Sequence, residues 1–279
     1  MSLFIASLNS GSNGNCYYIG NEKEAVLIDG GISCRETENR MKRLGLSMSA
    51  VKAIFVSHEH TDHITGVPGI SKKYELPVYI TKDTYKNSRM PVNKKLVFSF
   101  QADQPVKFNE LSVIAFTKSH DACDPHSFMV TDTRVNIGIF TDIGYPCKQV
   151  IRYFKKCHAA FLEANYCEDM LESGSYPRYL KNRISGRKGH LSNVQALKLF
   201  VSHRSSQLSH LILSHLSENN NSPELVDKLF RKESGATKII VASRFGETAL
   251  YQVEATSGRR SISMRKPGVE KHKDQLSLF

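Results

Sequence analysis

Short apolar runs recur along the whole chain and are separated by glycine, proline or polar residues. Most of these runs contain three to six residues and are rich in Val, Ile, Leu and Phe, a pattern that indicates buried β-strands. We therefore predict thirteen strands, at residues 3–8, 16–19, 25–28, 52–56, 78–80, 96–100, 111–116, 128–130, 136–140, 160–162, 211–213, 239–242 and 250–253.

Helical patterns lie between many of these strands. Residues 33–36 (Ser-Cys-Arg-Glu) have the spacing of a capping box, and Gly45 is a suitable stop for the helix that they begin. Residues 191–204 carry apolar side chains at helical spacing, and the Ser-Pro pair that opens residues 222–231 predicts another helix start. Helices interleaved with strands predict a layered α/β sandwich.

Length and composition permit a sizeable core, because the chain has 279 residues of which 40% are hydrophobic. No apolar run is long enough to span a bilayer, and the first residues lack the pattern of a signal peptide. The six cysteines form no C-x-x-C pair, which is typical of reduced thiols. We expect a cytoplasmic location and no membrane partner.

The charge balance favours a polyanionic partner. Lys and Arg number 38 and Asp and Glu 27, which gives a net charge of +11. Basic side chains bind nucleic acids by releasing their condensed counterions. The surplus is spread along the chain, however, so solubility remains the alternative explanation.

The composition changes at Ser257 and divides the chain into a domain at 1–256 and a tail at 257–279. The tail is rich in basic and polar residues that cannot bury much surface, so we predict that it is flexible. Its last five residues are abruptly apolar.

A dense group of metal-binding side chains follows the apolar run at 53–56. His58, His60, Asp62 and His63 lie within six residues. We call these residues the HxHxDH cluster. Imidazole suits zinc and related transition metals, and a loop after a buried strand is a usual place for catalytic residues. The cluster therefore predicts a metal site.

Further acidic and imidazole residues follow other predicted strands: Asp29, His120, Asp142 and His215. In their order with the HxHxDH cluster, they resemble the five successive motifs of the metallo-β-lactamase superfamily, over about the first 250 residues. The resemblance implies an αββα four-layer sandwich that holds two divalent metal ions.

The same resemblance implies the ligand of each ion. One ion would have three histidine ligands, which are His58, His60 and His120. The other would have a carboxylate and two histidines, which are Asp62, His63 and His215. Asp142 would bridge the ions, and Asp29 would orient a ligand without binding metal. Two ions about 4 Å apart activate a shared water, so Asp62 is counted among the catalytic residues and no Ser or Cys nucleophile is needed.

The segments at 162–165 and 189–193 resemble the Glu and His pair of tRNase Z-type nucleases. This resemblance implies that His190 donates a proton to the leaving alkoxide while Glu163 orients it. Ser192 and Asn193 begin a predicted helix, whose free amides would provide a phosphate seat. The alternative is that Ser192 only caps that helix.

Two features that are missing from the sequence indicate which branch of the superfamily the chain resembles. The 73 residues from Asp142 to His215 are too few for the inserted domain of the β-CASP nucleases, and residues 145–188 lack a Gly/Pro-rich tRNA-gripping arm. With the opening loop at 8–16, the chain best resembles the YycJ/WalJ-type branch, which implies a 5′ to 3′ DNA exonuclease. Ser10 and Asn13 are candidate substrate contacts in that loop, although such a sequence also makes simple turns.

The C-terminal peptide resembles the Q-L-x-L-F sequence with which bacterial replication and repair proteins bind the DNA sliding clamp. An extended peptide can bury such apolar anchors in a groove. Its candidate clamp-binding residues are Gln275, Leu276, Leu278 and Phe279. Alternatively, this end folds back on the protein's own core.

The sequence thus predicts a phosphodiesterase with two divalent ions, zinc or manganese, since His/Asp sites accept both. We expect a 5′ to 3′ DNA exonuclease of repair or replication. The alternatives are an RNA-processing nuclease, a small-molecule hydrolase acting on thioesters or lactones, and a regulatory module with a vestigial metal site.

Overall fold

In a computed structural model of the protein, which describes residues 2–255, the apolar runs form fourteen strands in two sheets. The predicted tail at 257–279, with its clamp-binding peptide, lies outside the described residues. The strands are β1 (Ser2–Asn9), β2 (Cys16–Gly20), β3 (Ala25–Ile28), β4 (Val51–Phe55), β5 (Val78–Tyr79), β6 (Val97–Phe98), β7 (Pro105–Lys107), β8 (Ser112–Thr117), β9 (His126–Thr131), β10 (Asn136–Phe140), β11 (Ala159–Glu163), β12 (His210–Ser214), β13 (Lys238–Val241) and β14 (Tyr251–Glu254).

Nine α-helices connect these strands within the described residues. They are α1 (Cys34–Arg43), α2 (Thr61–Ile64), α3 (Val67–Tyr74), α4 (Lys82–Ser88), α5 (Lys148–Phe154), α6 (Glu168–Ser173), α7 (Arg178–Ser185), α8 (Asn193–His203) and α9 (Pro223–Arg231). Two short 3₁₀ helices, at Met48–Ala50 and Lys94–Leu96, precede β4 and β6. None of the helices in residues 2–255 has the length and apolar character needed to cross a membrane.

Each sheet has seven strands and combines an antiparallel half with a parallel half. The first runs β14-β1-β2-β3-β4-β5-β6 and is parallel from β3 onward. The second runs β13-β12-β11-β10-β9-β8-β7 and is parallel from β13 to β10. Parallel strands end at the same edge of a sheet, so their following loops lie side by side.

The two sheets bury their facing sides against each other. The ring centroids of Tyr17 and Phe161 lie 4.9 Å apart, and those of Phe55 and Phe128 lie 5.7 Å apart. Separate apolar clusters bury α1 and α3 on the outer face of the first sheet and α5, α8 and α9 on that of the second. The layers are therefore helix, sheet, sheet and helix, which confirms the predicted αββα sandwich.

All thirteen predicted strands are present, and so are the three predicted helices α1, α8 and α9. β7 was missed because it is a three-residue strand that begins with proline at the exposed edge of a sheet. The predicted capping box of α1 is half wrong. Ser33 accepts a hydrogen bond from the Glu36 amide, but the Glu36 carboxylate pairs with Arg40 Nε at 2.7 Å.

Candidate metal centre

The predicted ligands come together because they follow strands that end at the same edge of the sandwich. Asp29 and the HxHxDH cluster follow the parallel strands β3 and β4 of the first sheet. Asp142 and His215 follow β10 and β12, which lie on either side of β11 in the second sheet. His120 follows β8. Residues far apart in sequence thus meet at the mouth between the two sheets.

Three of these residues have backbone conformations that side chains rarely adopt. The φ angles of Asp29, Asp142 and His215 are 59°, 55° and 55°. Left-handed conformations are uncommon outside glycine, and they concentrate where surrounding structure holds a functional residue in place. Each strand therefore ends in a sharp turn that exposes the next side chain to the shared site.

Three histidines form the first ligand group. His60 Nδ1 lies 3.1 Å from His58 Nε2 and 3.4 Å from His120 Nε2. These three nitrogens are close enough together to bind a single cation. His120, which follows a strand of the second sheet, thus lies beside His58 and His60, which follow a strand of the first.

The second ligand group consists of Asp62, His63 and His215. Asp62 Oδ2 lies 3.3 Å from both His63 Nε2 and His215 Nε2. Asn15 holds the same carboxylate oxygen through its side-chain amide at 3.0 Å. The group thus offers one oxygen and two nitrogens to a cation.

Asp142 lies between the two groups and is 1% exposed. Its Oδ1 is 3.7 Å from His120 Nε2 in the first group and 3.5 Å from His215 Nε2 in the second. Its Oδ2 lies 3.1 Å from His63 Nε2 but has no hydrogen-bond partner among the described residues. A buried carboxylate oxygen without a partner is costly, and a cation would satisfy it.

Hydrogen bonds behind the imidazoles fix which nitrogen faces the site. Asp29 Oδ2 accepts from His63 Nδ1 at 2.7 Å, and Ser57 donates to both oxygens of Asp29. The Gly189 carbonyl accepts from His120 Nδ1 at 3.0 Å. Such contacts leave Nε2 free as a ligand and raise its basicity. Asp29 therefore lies behind His63, a predicted ligand.

The electrostatics of the site favour bound cations. Burial opposes protonation of His215, but Asp142 and Asp62 raise its pKa to about 10. Burial alone would also raise the pKa of Asp142, yet the nearby His215 and His63 hold it well below its usual range. In the first group, burial lowers the pKa of His120 to about 4. The carboxylates thus favour positive charge at His215, and a divalent ion would supply that charge in place of the proton. Imidazoles and carboxylates together are a donor set that suits zinc and manganese.

Glu163 and His190 form a buried pair next to this site. Glu163 Oε1 accepts a hydrogen bond from His190 Nδ1 at 2.7 Å, and Glu163 Oε2 accepts from the amides of Ile143 and Leu191. Although burial opposes its ionisation, the charge on His190 helps to lower the pKa of Glu163 to about 2. The His190 side chain is 20% exposed, and its Nδ1 lies 3.8 Å from Asp142 Oδ1. Its Nε2 is therefore free to meet a substrate.

The expected phosphate seat at the start of α8 is not formed. The Ser192 amide donates to Gln195 Oε1 and the Asn193 amide donates to the Tyr166 carbonyl. Both residues are buried, and Ser192 completes a capping box with Gln195. The prediction of free amides at Ser192 and Asn193 is therefore wrong, since the capping box occupies the first amide and the Tyr166 carbonyl occupies the second.

The loop after β1 contains the other two candidate substrate contacts. Ser10 is buried, and its hydroxyl accepts a hydrogen bond from the His215 amide at 2.7 Å. Asn13 is exposed, and its side chain donates to the Arg244 carbonyl at 2.8 Å. Contact of either residue with substrate stays a prediction.

Supporting residues were missed at the sequence level because their partners are distant in the chain. The Asn165 side chain contacts both Nδ1 and the carbonyl of His215, fifty residues away. Lys118 is buried and donates to the Thr141 carbonyl at 2.8 Å, directly before Asp142. The only local signal for Asn165 and Lys118 was that each is a polar residue next to the end of a predicted strand.

Comparisons with known proteins agree with this geometry. Residues 10–150 match the family model described as the metallo-beta-lactamase superfamily. The chain is 30% identical over 261 residues to the protein named exodeoxyribonuclease YycJ from Bacillus anthracis, covering 92% of this chain and 96% of the relative. It is also 30% identical over 223 residues to exodeoxyribonuclease WalJ from Streptococcus pneumoniae, covering 78% of this chain and 83% of the relative.

A solved structure shares the fold at lower sequence identity. The metallo-beta-lactamase fold protein YhfI from Bacillus subtilis is 14% identical and matches with a TM-score of 0.70, covering 90% of this chain and 100% of YhfI. The family predicted from the ordered motifs is thus confirmed, and the chain belongs to the metallo-β-lactamase superfamily of hydrolases.

Proposed function

We propose that the protein is a dinuclear metal-dependent phosphodiesterase that acts as a 5′ to 3′ DNA exonuclease in repair or replication. The observation that carries this proposal is the position of the Glu163–His190 pair, which adjoins Asp142 between two groups of cation ligands. A proton donor beside a paired cation site is suited to cleaving a phosphodiester.

Two divalent ions, zinc or manganese, fit the ligands described above. The first would be held by His58, His60 and His120. The second would be held by Asp62, His63 and His215, with Asp142 shared between the two. When bound, such ions supply a nucleophile at neutral pH and neutralise charge on the phosphate.

The protein's own residues then orient the substrate and move a proton. Glu163 accepts from Nδ1 of His190, which fixes the ring and leaves Nε2 toward the open side of the site. The Glu163 carboxylate stays ionised and therefore remains a hydrogen-bond acceptor for Nδ1. His190 is thereby poised to donate a proton to the leaving 3′ oxygen.

The surface next to His190 supports a nucleic-acid substrate. Residues 178–188 contain five basic residues and no acidic one, and this segment runs directly into Gly189 and His190. Four of the five basic side chains are exposed: Arg178, Arg183, Arg187 and Lys188. A basic stripe of this kind attracts a phosphate backbone. The choice of DNA over RNA rests on the relatives named exodeoxyribonucleases.

We further propose that the segment 257–279 connects the hydrolase domain to a bacterial sliding clamp. Its last residues, Gln275 to Phe279, carry the Q-L-x-L-F pattern. Tethering to the clamp would raise the concentration of the enzyme at DNA. A cytoplasmic location accords with the six cysteines, all of which are free thiols.

Removing the carboxylate behind His63 tests the metal assignment. In Asp29→Asn, we expect metal affinity to fall roughly 10- to 100-fold, because the substituted amide no longer fixes the ligand imidazole as the carboxylate does. The measurement is a competition titration of the apoprotein with zinc against a chromophoric chelator. Asp83→Asn, an exposed substitution on α4, serves as the control. Equal affinities of the two variants would contradict the role of Asp29.

Substrate class is tested with end-labelled DNA and RNA of one sequence, single- and double-stranded, incubated with zinc or manganese. We expect degradation of DNA from the 5′ end, and its loss in chelator and in Asp142→Ala or His60→Ala, both of which remove ligands. Circular dichroism checks that these variants keep the fold. Faster cleavage of RNA would identify an RNA-processing nuclease instead. No cleavage of either polymer by the metal-loaded protein would refute the proposal.

The proton-donor role of His190 is tested by changing the leaving group. His190→Ala should lower kcat on DNA by roughly 10²- to 10⁴-fold, since the departing alkoxide needs a proton. A nitrophenyl phosphodiester has a leaving group that needs none, so the same variant should cleave it nearly as well as the wild type. Asp142→Ala should lose both activities. An equal loss of both in His190→Ala would assign the residue to metal or substrate binding.

Clamp binding is tested with the full-length protein and a purified bacterial sliding clamp. Replacing two anchors together, Leu278→Ala with Phe279→Ala, should weaken binding by more than roughly tenfold because their apolar surface is no longer buried. Ser277→Ala changes the variable position of the pattern and should bind normally. Fluorescence anisotropy measures the affinity. The clamp hypothesis fails if the double variant binds as tightly as the wild type.

A further inference from the structure

A cavity of about 470 Å³ opens beside the metal centre on the His215 side. Three loops form it, and they follow β1, β12 and β13. The loops contribute Ser10, residues 216–218 and residues 242–245 to its walls. A volume of this size is within the range of small-molecule sites and accommodates a nucleobase.

Two of these loops are tied directly to a predicted metal ligand. Ser10 Oγ accepts from the His215 amide at 2.7 Å, and the Ser10 amide donates to the Ser243 carbonyl at 3.2 Å. Leu216, which lines the cavity, is the residue after His215. The cavity is therefore adjacent to the second ligand group and fixed relative to it.

The walls combine apolar surface with one exposed aromatic ring. Phe245 is 79% exposed, the largest exposed fraction among the large hydrophobic side chains of residues 2–255. Leu216, Pro223 and Val241 supply further apolar wall. An exposed ring at the mouth of an apolar cavity is suited to stacking against a planar base, which every nucleotide offers.

A guanidinium lies next to this ring. Arg244 is centred 5.8 Å from the Phe245 ring centroid, and its buried Nε has no hydrogen-bond partner among the described residues. Its other contact is an ion pair with the exposed Glu218 at 3.1 Å. The Arg244 side chain is 17% exposed, but its partner Glu218 is 56% exposed, so a phosphate can compete with that carboxylate for the guanidinium.

We propose that this cavity receives the unstacked base of a nucleotide next to the scissile phosphate, with Phe245 stacking on the base and Arg244 contacting a neighbouring phosphate. This inference rests on the proposed phosphodiesterase function and adds a nucleotide subsite to it. A base withdrawn from its stack into such a site would fix which phosphate reaches the metal centre.

The test compares Phe245→Ala with the wild type on single-stranded DNA that carries one abasic residue at the first, second or third position from the 5′ end. For the wild type, one of these positions should lower kcat/KM by roughly tenfold or more, because the stacked base is missing. Phe245→Ala should lose about as much on intact DNA and show no further loss at that abasic position.

Phe98→Ala is the matched control, since Phe98 is also an exposed phenylalanine (44%) but lies on β6, the edge strand of the first sheet. It should remain as sensitive to the abasic residue as the wild type. If Phe245→Ala also keeps that sensitivity while DNA is still degraded, the subsite is refuted and the proposed function stands. If the metal-loaded wild type cleaves no nucleic acid, both proposals are refuted together.

Discussion

The site depends on the compensation of negative charge that the fold buries between its two sheets. Asp29, Asp142 and Glu163 are each at most 1% exposed, and Asp62 lies beside them. Burying ionised carboxylates is costly unless cations and hydrogen bonds surround them. Five predicted ligand imidazoles meet these carboxylates, and one oxygen of Asp142 has no hydrogen bond within residues 2–255. The arrangement is therefore suited to binding metal ions.

The surrounding strands and hydrogen bonds stabilise this arrangement from several sides. Asp29, Asp142 and His215 adopt left-handed backbone conformations, which cost energy unless the surroundings enforce them. Each follows a fully or largely buried strand within a sheet, so the chain has little freedom to relax. Hydrogen bonds that cross between the sheets, such as that from the His215 amide to Ser10, lock the two halves together. The rigid strands therefore hold these strained residues in place, which fixes the geometry of the predicted ligands.

The sequence was most informative where a signal is local. Apolar runs located thirteen strands, and the spacing within 58–63 indicated metal binding before any resemblance was considered. The ordered motifs then predicted which distant residues would join that cluster. Contacts between residues that are distant in sequence could not be predicted in this way. Gln195 and Tyr166 occupy the amides expected to bind phosphate, and Asn165 supports His215, because packing rather than sequence spacing decides these partners.

The relative positions of the surrounding features suggest a path for the substrate across the metal centre. The basic segment at 178–188 leads into His190, whose ring centroid lies 5.2 Å from that of His120 and 5.3 Å from that of His215. The cavity with Phe245 lies next to His215, since Leu216 lines it. A strand whose backbone contacts the basic segment and whose base enters the cavity would therefore pass His190 and His215. Electrostatic attraction would bind the backbone on one side, and stacking would bind a base on the other. Neither interaction depends on the base sequence. That division suits the proposed cleavage of nucleic acid without sequence preference.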